Sequence, residues 1–522
     1  MKSSRIMVSA VATLTFIFGA LATGLLASTP ASATSPVTTY VATTGSNTSN
    51  SCTSAATPCQ TISYALTKTP AGGTVSVAAG TYAEQVTITK NVSIIGAGAA
   101  STIIEPATLS LYDSDTDSAQ AQYYVVDVEP GVTSATLQSL GVNGSAGSSF
   151  FTDCSSDYVG VYYHDASGSL ENVNVTGVEL PEPLFGCQGG LGVYVATDGG
   201  SLTPSMVVMQ NVDVSSYDKN GITCDDAGTV CTISNSVITG IGATPLIGQN
   251  GIQVFGASAQ ITDNTVTANN YTVPTGGTIY SADGILVINA GNLSIVGNHV
   301  SANNDNIDVL ESAGEALNGS VIVPQWDPTP GPWVIDNNTV TNAQLGSVAF
   351  GDELGDGIEV DSVTSNVTVT GNTVTGNQEY GIALYGAKGV NVSLNALQEN
   401  GYGVFVGGPG TQNYFNASVA LNSTNNSFSA NLSQASQVGI YVVAGSASNN
   451  FLLNAATKNT TTDVVDGSTG SGTKGTGDSW LLTACSTSSP TGLCPFPGHL
   501  PVIHLPVHLP PFTWPFGRGH WH

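Results

Sequence analysis

Three carboxylates recur at matching places in two neighbouring copies of a short motif. Asp308 lies in Asn306-Ile307-Asp308-Val309, Glu359 in Gly357-Ile358-Glu359-Val360, and Asp361 two positions further on. Alternate side chains of an extended strand share one face, so with the aliphatic residues turned inward these carboxylates project outward together. Adjacent strands lie about 4.8 Å apart, which sets the carboxyl groups at about 5 to 9.5 Å, the range used by retaining and inverting glycosidases. Leu286, Leu310 and Ala383 in adjoining motifs would raise one proton affinity and so separate an acid from a base or nucleophile. Asp308 and Glu359 are therefore the expected catalytic pair, with Asp361 tuning them or binding a cation.

The elements that must position them are visible as a repeat. Gly192-Val-Tyr-Val195, Gly251-Ile-Gln-Val254, Gly284-Ile-Leu-Val287, Gly381-Ile-Ala-Leu384, Gly403-Val-Phe-Val406 and Gly439-Ile-Tyr-Val442 follow one pattern, with shorter matches at Gly160 and Gly221. The shortest steps are 22 and 24 residues, and longer ones read as the same unit carrying loop insertions. A second element interleaves, an Asn followed two residues later by an aliphatic, at Asn235, Asn264, Asn298, Asn338, Asn372 and Asn395. Each unit thus holds at least two short strands of period two separated by turns. Such strands cannot bury a face alone, whereas stacked coils give parallel pairing, a continuous interior and an asparagine ladder at a bend.

Together with Ala71-Gly-Gly-Thr-Val-Ser-Val-Ala-Ala-Gly-Thr-Tyr82 and Val92-Ser-Ile-Ile-Gly-Ala-Gly98, these repeats resemble the right-handed parallel β-helix, or pectin-lyase-like, superfamily over residues 37 to 465. The resemblance implies an all-β solenoid of about ten or more coils. It further implies a short capping helix at Gln60–Thr67. It is specific for fold and open for activity, because the superfamily holds lyases, hydrolases, epimerases, adhesins and tailspikes.

Insertions mark one place on the scaffold. The coil from Asn306 to Gly357 is 51 residues long, and its excess falls at 311–332, with Trp326 and then Trp333, and at 342–356, with Asp352 and Glu353. Trp326, Trp333, Tyr385 and Phe405 are the expected ligand-binding aromatics, offering flat rings on which sugars stack. Asp283, Asp305 and Asp356 precede the motif glycine position and suit tight turns. Asp305 and Asp356, with Asp308, Glu359 and Asp361, could also supply an all-oxygen calcium site, although no cofactor is required. Asp225-Asp226 matches the paired aspartates of polygalacturonases only as a dipeptide, without that family's histidine and basic motifs. Lys219 and Lys388, the only basic residues between Lys90 and Lys458, read as solvated turn residues, and no partner is evident for His164 or His299.

Composition bounds the partners. The 522 residues carry 61 Gly, nine basic and 36 acidic side chains, a formal charge of −27, which excludes binding nucleic acid through a basic footprint. Residues 1–33, with Lys2 and Arg5 before an apolar run and Ala31-Ser-Ala33 after it, read as an export signal. An uncleaved anchor is the alternative, and no second spanning run follows. All eight cysteines lie beyond it in four local pairs: Cys52 with Cys59, Cys154 with Cys187, Cys485 with Cys494, and Cys224 with Cys231, which either pair or stay free in the core. The expected organisation is a signal peptide at 1–33, a β-helix at 34–467 and an extended or disordered Gly/Ser/Thr then Pro/His-rich tail at 468–522. Two functions remain: a secreted, extracellular or cell-surface protein that binds polysaccharide or builds the envelope, and a carbohydrate-active hydrolase, lyase or epimerase using the carboxylate pair. Oligomeric state is not readable from the sequence.

Overall fold

The computed structural model describes residues 37–111, 121–197, 204–277, 280–311, 315–317, 320–322, 331–348, 354–364, 366–407 and 422–496. Within them the chain winds as a parallel β-helix whose strands assemble into a 25-stranded and a 14-stranded sheet. One interior row shows how the coils stack: Ile222, Ile252, Ile285, Ile307, Ile358, Ile382, Val404, Ile440 and Val464 are successive register partners. All are buried in one continuous core. That contiguity is the reason such short strands are stable together.

The motif glycines are fixed by close approach of consecutive coils. A Cβ on Gly357 would stand 2.5 Å from Gly381 O, and one on Gly381 2.7 Å from Gly403 O. Asn306 occupies that slot in its coil and uses its side chain instead, donating to Thr341 O and Asn377 Oδ1.

The asparagine ladder runs through Asn264, Asn298, Asn338, Asn372, Asn395, Asn431 and Asn454, each accepting from the backbone N–H of the rung before it. Asn235 is not part of it. Asn235 adopts a left-handed φ of 51°, and Ser236 donates its N–H to Asn264 in that place. At the N-terminal end a seven-residue helix, Ile62–Lys68, buries Ile62, Ala65 and Leu66, and Glu84 accepts from the free N–H groups of Ile62 and Ser63.

The boundary at 467 is too early. Strand Ser479–Leu481 continues the larger sheet against Asn450–Leu452, and Ser488–Ser489 pairs with Val464 and Val465. Trp480 explains the extension, since its indole stacks on Phe451 at 3.9 Å and donates to Asp466 Oδ2 at 2.7 Å. Residues 497–522 and the export signal lie outside the described residues. All four cysteine pairs are disulfides, including Cys224–Cys231. No helix among the described residues is long and apolar enough to cross a membrane.

Candidate functional site

The 14-stranded sheet carries one outward column along its length. Its register partners are Thr87, Asp127, Tyr162, Tyr194, Thr223, Gln253, Leu286, Asp308, Glu359, Ala383, Phe405 and Tyr441. Chemistry changes along this column: Asp127 and two tyrosines follow Thr87, then come Thr223, Gln253 and Leu286, then the carboxylates, and after Ala383 rings again.

Asp308 and Glu359 are direct register partners, and Leu310 pairs with Asp361 beside them. The three carboxylates are 5%, 3% and 3% exposed, so this stretch of the outward face is covered. Burial drives the proton affinities of Asp308 and Glu359 well above the usual carboxylate range. Neighbouring charges add to this: Asp283 and then Asp305 act on Asp308, and Asp308 and then Asp356 on Glu359. Asp308 Oδ1 has no hydrogen-bond partner. The apolar flanks expected from sequence are present, Leu286 beside Asp308 and Ala383 beside Glu359.

Asp305 and Asp356 serve the backbone. Asp305 Oδ1 accepts from the N–H groups of Gly355 and Asp356 at 2.9 Å, and Asp356 Oδ1 accepts from Tyr380 N at 3.0 Å. Among the described residues no three His, Cys, Asp or Glu side chains are gathered so as to hold a metal ion.

Lys219 departs from its expected role as a solvated turn residue. It is half-buried, and its ammonium donates to Gly248 O at 2.8 Å. Burial lowers it to about 8, with Asp283 opposing, and burial raises Asp283 to about 8, with Asp305 adding and Ser281 and Lys219 opposing. The two line a cleft of about 400 Å³ with Gln188, Asn250, Ser281 and Tyr280. A lone lysine in an acidic sequence was the available signal. Periodicity alone could not show that Lys219 and Asp283, 64 positions apart, face one cleft. Lys388 is exposed.

The aromatic expectations divide. Trp333 is fully buried, donating to Ala290 O and Gly291 O at 3.1 Å, because it opens an interior strand between Leu293 and Val367 rather than ending a loop. It is not a ligand-binding wall. Trp326, Asp352 and Glu353 lie outside the described residues. Tyr385 and Phe405 do stand on the outward face, packed with Tyr380. Both are nearly buried, and the partly accessible rings beside them are Tyr402 and Tyr441, which sequence did not single out as binding residues. Phe405 stacks on Tyr380 at 4.2 Å and parallels Tyr441 at 6.0 Å.

Toward the N-terminus, Tyr162 stacks between His164 and Tyr194, whose hydroxyl donates to Asp225 at 3.1 Å. Asp127 beside Tyr162 is buried, and burial, then Glu129, raises its proton affinity well above the ordinary range, with the backbone of Val128 opposing. His299 begins a strand and is exposed.

Residues 191–420 match the family described as the right handed beta helix region. Similar solved structures include the A-module of the Azotobacter vinelandii mannuronan C-5 epimerase AlgE4, at 15% identity and TM-score 0.38, covering 73% of this chain and 86% of that one. The Dettilon tailspike protein is 16% identical at TM-score 0.39, covering 75% and 61%. The periplasmic alginate epimerase AlgG is 11% identical at TM-score 0.38, covering 75% and 73%. A search of curated proteins finds no match. The fold of this chain is the right-handed parallel β-helix.

Proposed function

We propose that this protein binds an extracellular polysaccharide along the outward face of its 14-stranded sheet. The observation that carries this is the register column itself. Rings and hydrogen-bonding groups recur at successive register positions, of which Tyr194, Gln253 and Tyr441 are partly accessible, with the partly accessible Tyr402 in the strand before Tyr441. Aromatic faces and polar groups at a regular spacing suit a linear polymer of rings. The excess of carboxylates favours a neutral glycan over an anionic one. Four disulfides fit an oxidising compartment outside the cytosol.

Asp308 and Glu359 favour a second reading, glycoside hydrolysis. Two adjacent carboxyl groups whose proton affinities burial raises could divide acid and base roles once a chain reaches them. Glycan-array binding and reducing-sugar release, each with and without calcium, test both. Binding that falls about tenfold in Tyr402→Ala/Tyr441→Ala, with no product released, supports the binding reading. Product release abolished in Asp308→Asn/Glu359→Gln would establish hydrolysis, and neither binding nor release would sink both.

A further inference from the structure

The cleft at Lys219 and Asp283 has the makings of a site of its own. Its volume of about 400 Å³ lies within the range of small-ligand pockets, and its walls converge from separate coils: Gln188, Lys219, Asn250 and the pair Ser281 and Asp283. Its rim is apolar, with Leu246 50% and Tyr280 54% exposed. Lys219 is the single lysine or arginine between Lys90 and Lys388, and the fold sets its ammonium in this wall.

Those facts restrict the ligand. An anion would find one ammonium, already donating to Gly248 O and set beside Asp283, and would oppose any ionisation of Asp283, of its register partner Asp305 and of Asp308 close behind. A cation would meet Lys219. A neutral molecule bearing adjacent hydroxyls fits both, accepting from the ammonium while donating to the carboxyl group. Its apolar face would lie on the Tyr280 ring and Leu246. Pyranose sugars have that division between hydroxyl edge and C–H face. We propose that this cleft binds one or two rings of a neutral glycan, with Lys219 and Asp283 holding ring hydroxyls and Tyr280 and Leu246 covering the ring face. The inference rests on the polysaccharide reading in that the ligand is again a glycan, but its walls are different residues.

The test is calorimetric titration of the protein with glucose, cellobiose, lactose and mannobiose, with glucuronate as the anionic control. At least one neutral sugar should bind, with glucuronate about tenfold weaker or undetectable. Tyr280→Ala, an exposed change that leaves the core intact, and Lys219→Met should each weaken that binding about tenfold, whereas Lys388→Met should not. Binding unchanged in Tyr280→Ala and Lys219→Met, or no neutral sugar bound while the polymer still is, overturns the cleft and leaves the polymer reading standing. Short sugars held through Lys219 and Tyr280 without any polymer binding would uphold the cleft and overturn the polymer reading.

Discussion

Asp308 and Glu359 face the same way from directly paired positions on neighbouring parallel strands, and both are almost wholly removed from solvent. Two ionised carboxylates in that arrangement would repel each other and lack water, so the folded protein favours their neutral forms. Amides reproduce the shape of a neutral carboxylic acid. Asp308→Asn and Glu359→Gln should therefore fold with a Tm at pH 7 equal to or above the parent's, and should lessen the fall in Tm as pH rises above the ordinary carboxylate range. A Tm lowered by several degrees, or a parent Tm that collapses with EDTA, would instead show an ionised pair held by a bound cation.

The same physics sets the sign of the wider pH dependence. Asp218 is pushed up to about 8, chiefly by burial, and Asp283 also to about 8, while unfolded aspartates titrate near about 4. A carboxyl group with a raised folded pKa binds protons more tightly when folded. Its stabilising contribution is present below pH 4 and is lost as pH rises from 4 through 8. Lys219, lowered to about 8, acts in the opposite sense only above that value. The protein should thus melt several degrees higher at pH 5 than at pH 8. Thermal melts across that range would refute this by rising steadily with pH.

How far the sequence carried follows from what local spacing encodes. The inward Ile and Val row, the glycine slots and the pairing of Asp308 with Glu359 all follow from a period of two and a coil repeat, and the structure has them. Burial on the outward face does not follow, because it depends on how loops close over a strand. Trp333, adjacent to an insertion, is an interior residue for a different reason, since it opens a strand paired between Leu293 and Val367. The position of Lys219 depends on segments from several coils meeting, which no local pattern records. The end of the solenoid is hidden from local pattern because Gly, Ser and Thr dominate 468–479, although Trp480 follows there with a core role.

Trp480 should be the residue that holds the last coils. Its ring continues the interior stack Phe428–Phe451–Trp480, and Asp466 accepts from its indole N–H. Trp480→Ala should cost about 3 to 5 kcal/mol. In a solenoid that cost is local. Hydrogen exchange should accelerate over 427–481 and stay slow around Ile222–Ile307. Uniform acceleration would indicate one global folding unit instead.

The asparagine ladder makes a sharper demand, because each rung must both donate and accept. Asn338 Nδ2 donates to Ile295 O at 2.9 Å and Asn372 Oδ1 at 3.0 Å, while Asn338 Oδ1 accepts from Asn298 N at 2.9 Å and Asn298 Nδ2 at 3.0 Å. Alanine would leave several buried groups unpaired at about 1 to 3 kcal/mol each, so Asn338→Ala should destabilise by about 3 kcal/mol or more. Aspartate at this rung keeps the acceptor but turns oxygen toward Ile295 O and Asn372 Oδ1, which is tolerable only when it is protonated. Asn338→Asp should therefore approach the parent's Tm near pH 4 and fall away from it toward pH 8. An aspartate is found where only acceptance is needed: Asp478 ends the Asn426–Asn449 ladder, accepting from Asn449 N and Nδ2 at 2.7 and 3.1 Å. Its pKa is raised to about 6, chiefly by burial. Asp478→Asn, which removes a titrating group without losing the acceptor, should stabilise the protein above pH 6 and leave it unchanged below pH 4. Chemical denaturation at the two pH values would separate these outcomes, and equal effects of Asn338→Asp at both would show that the rung does not depend on its donor.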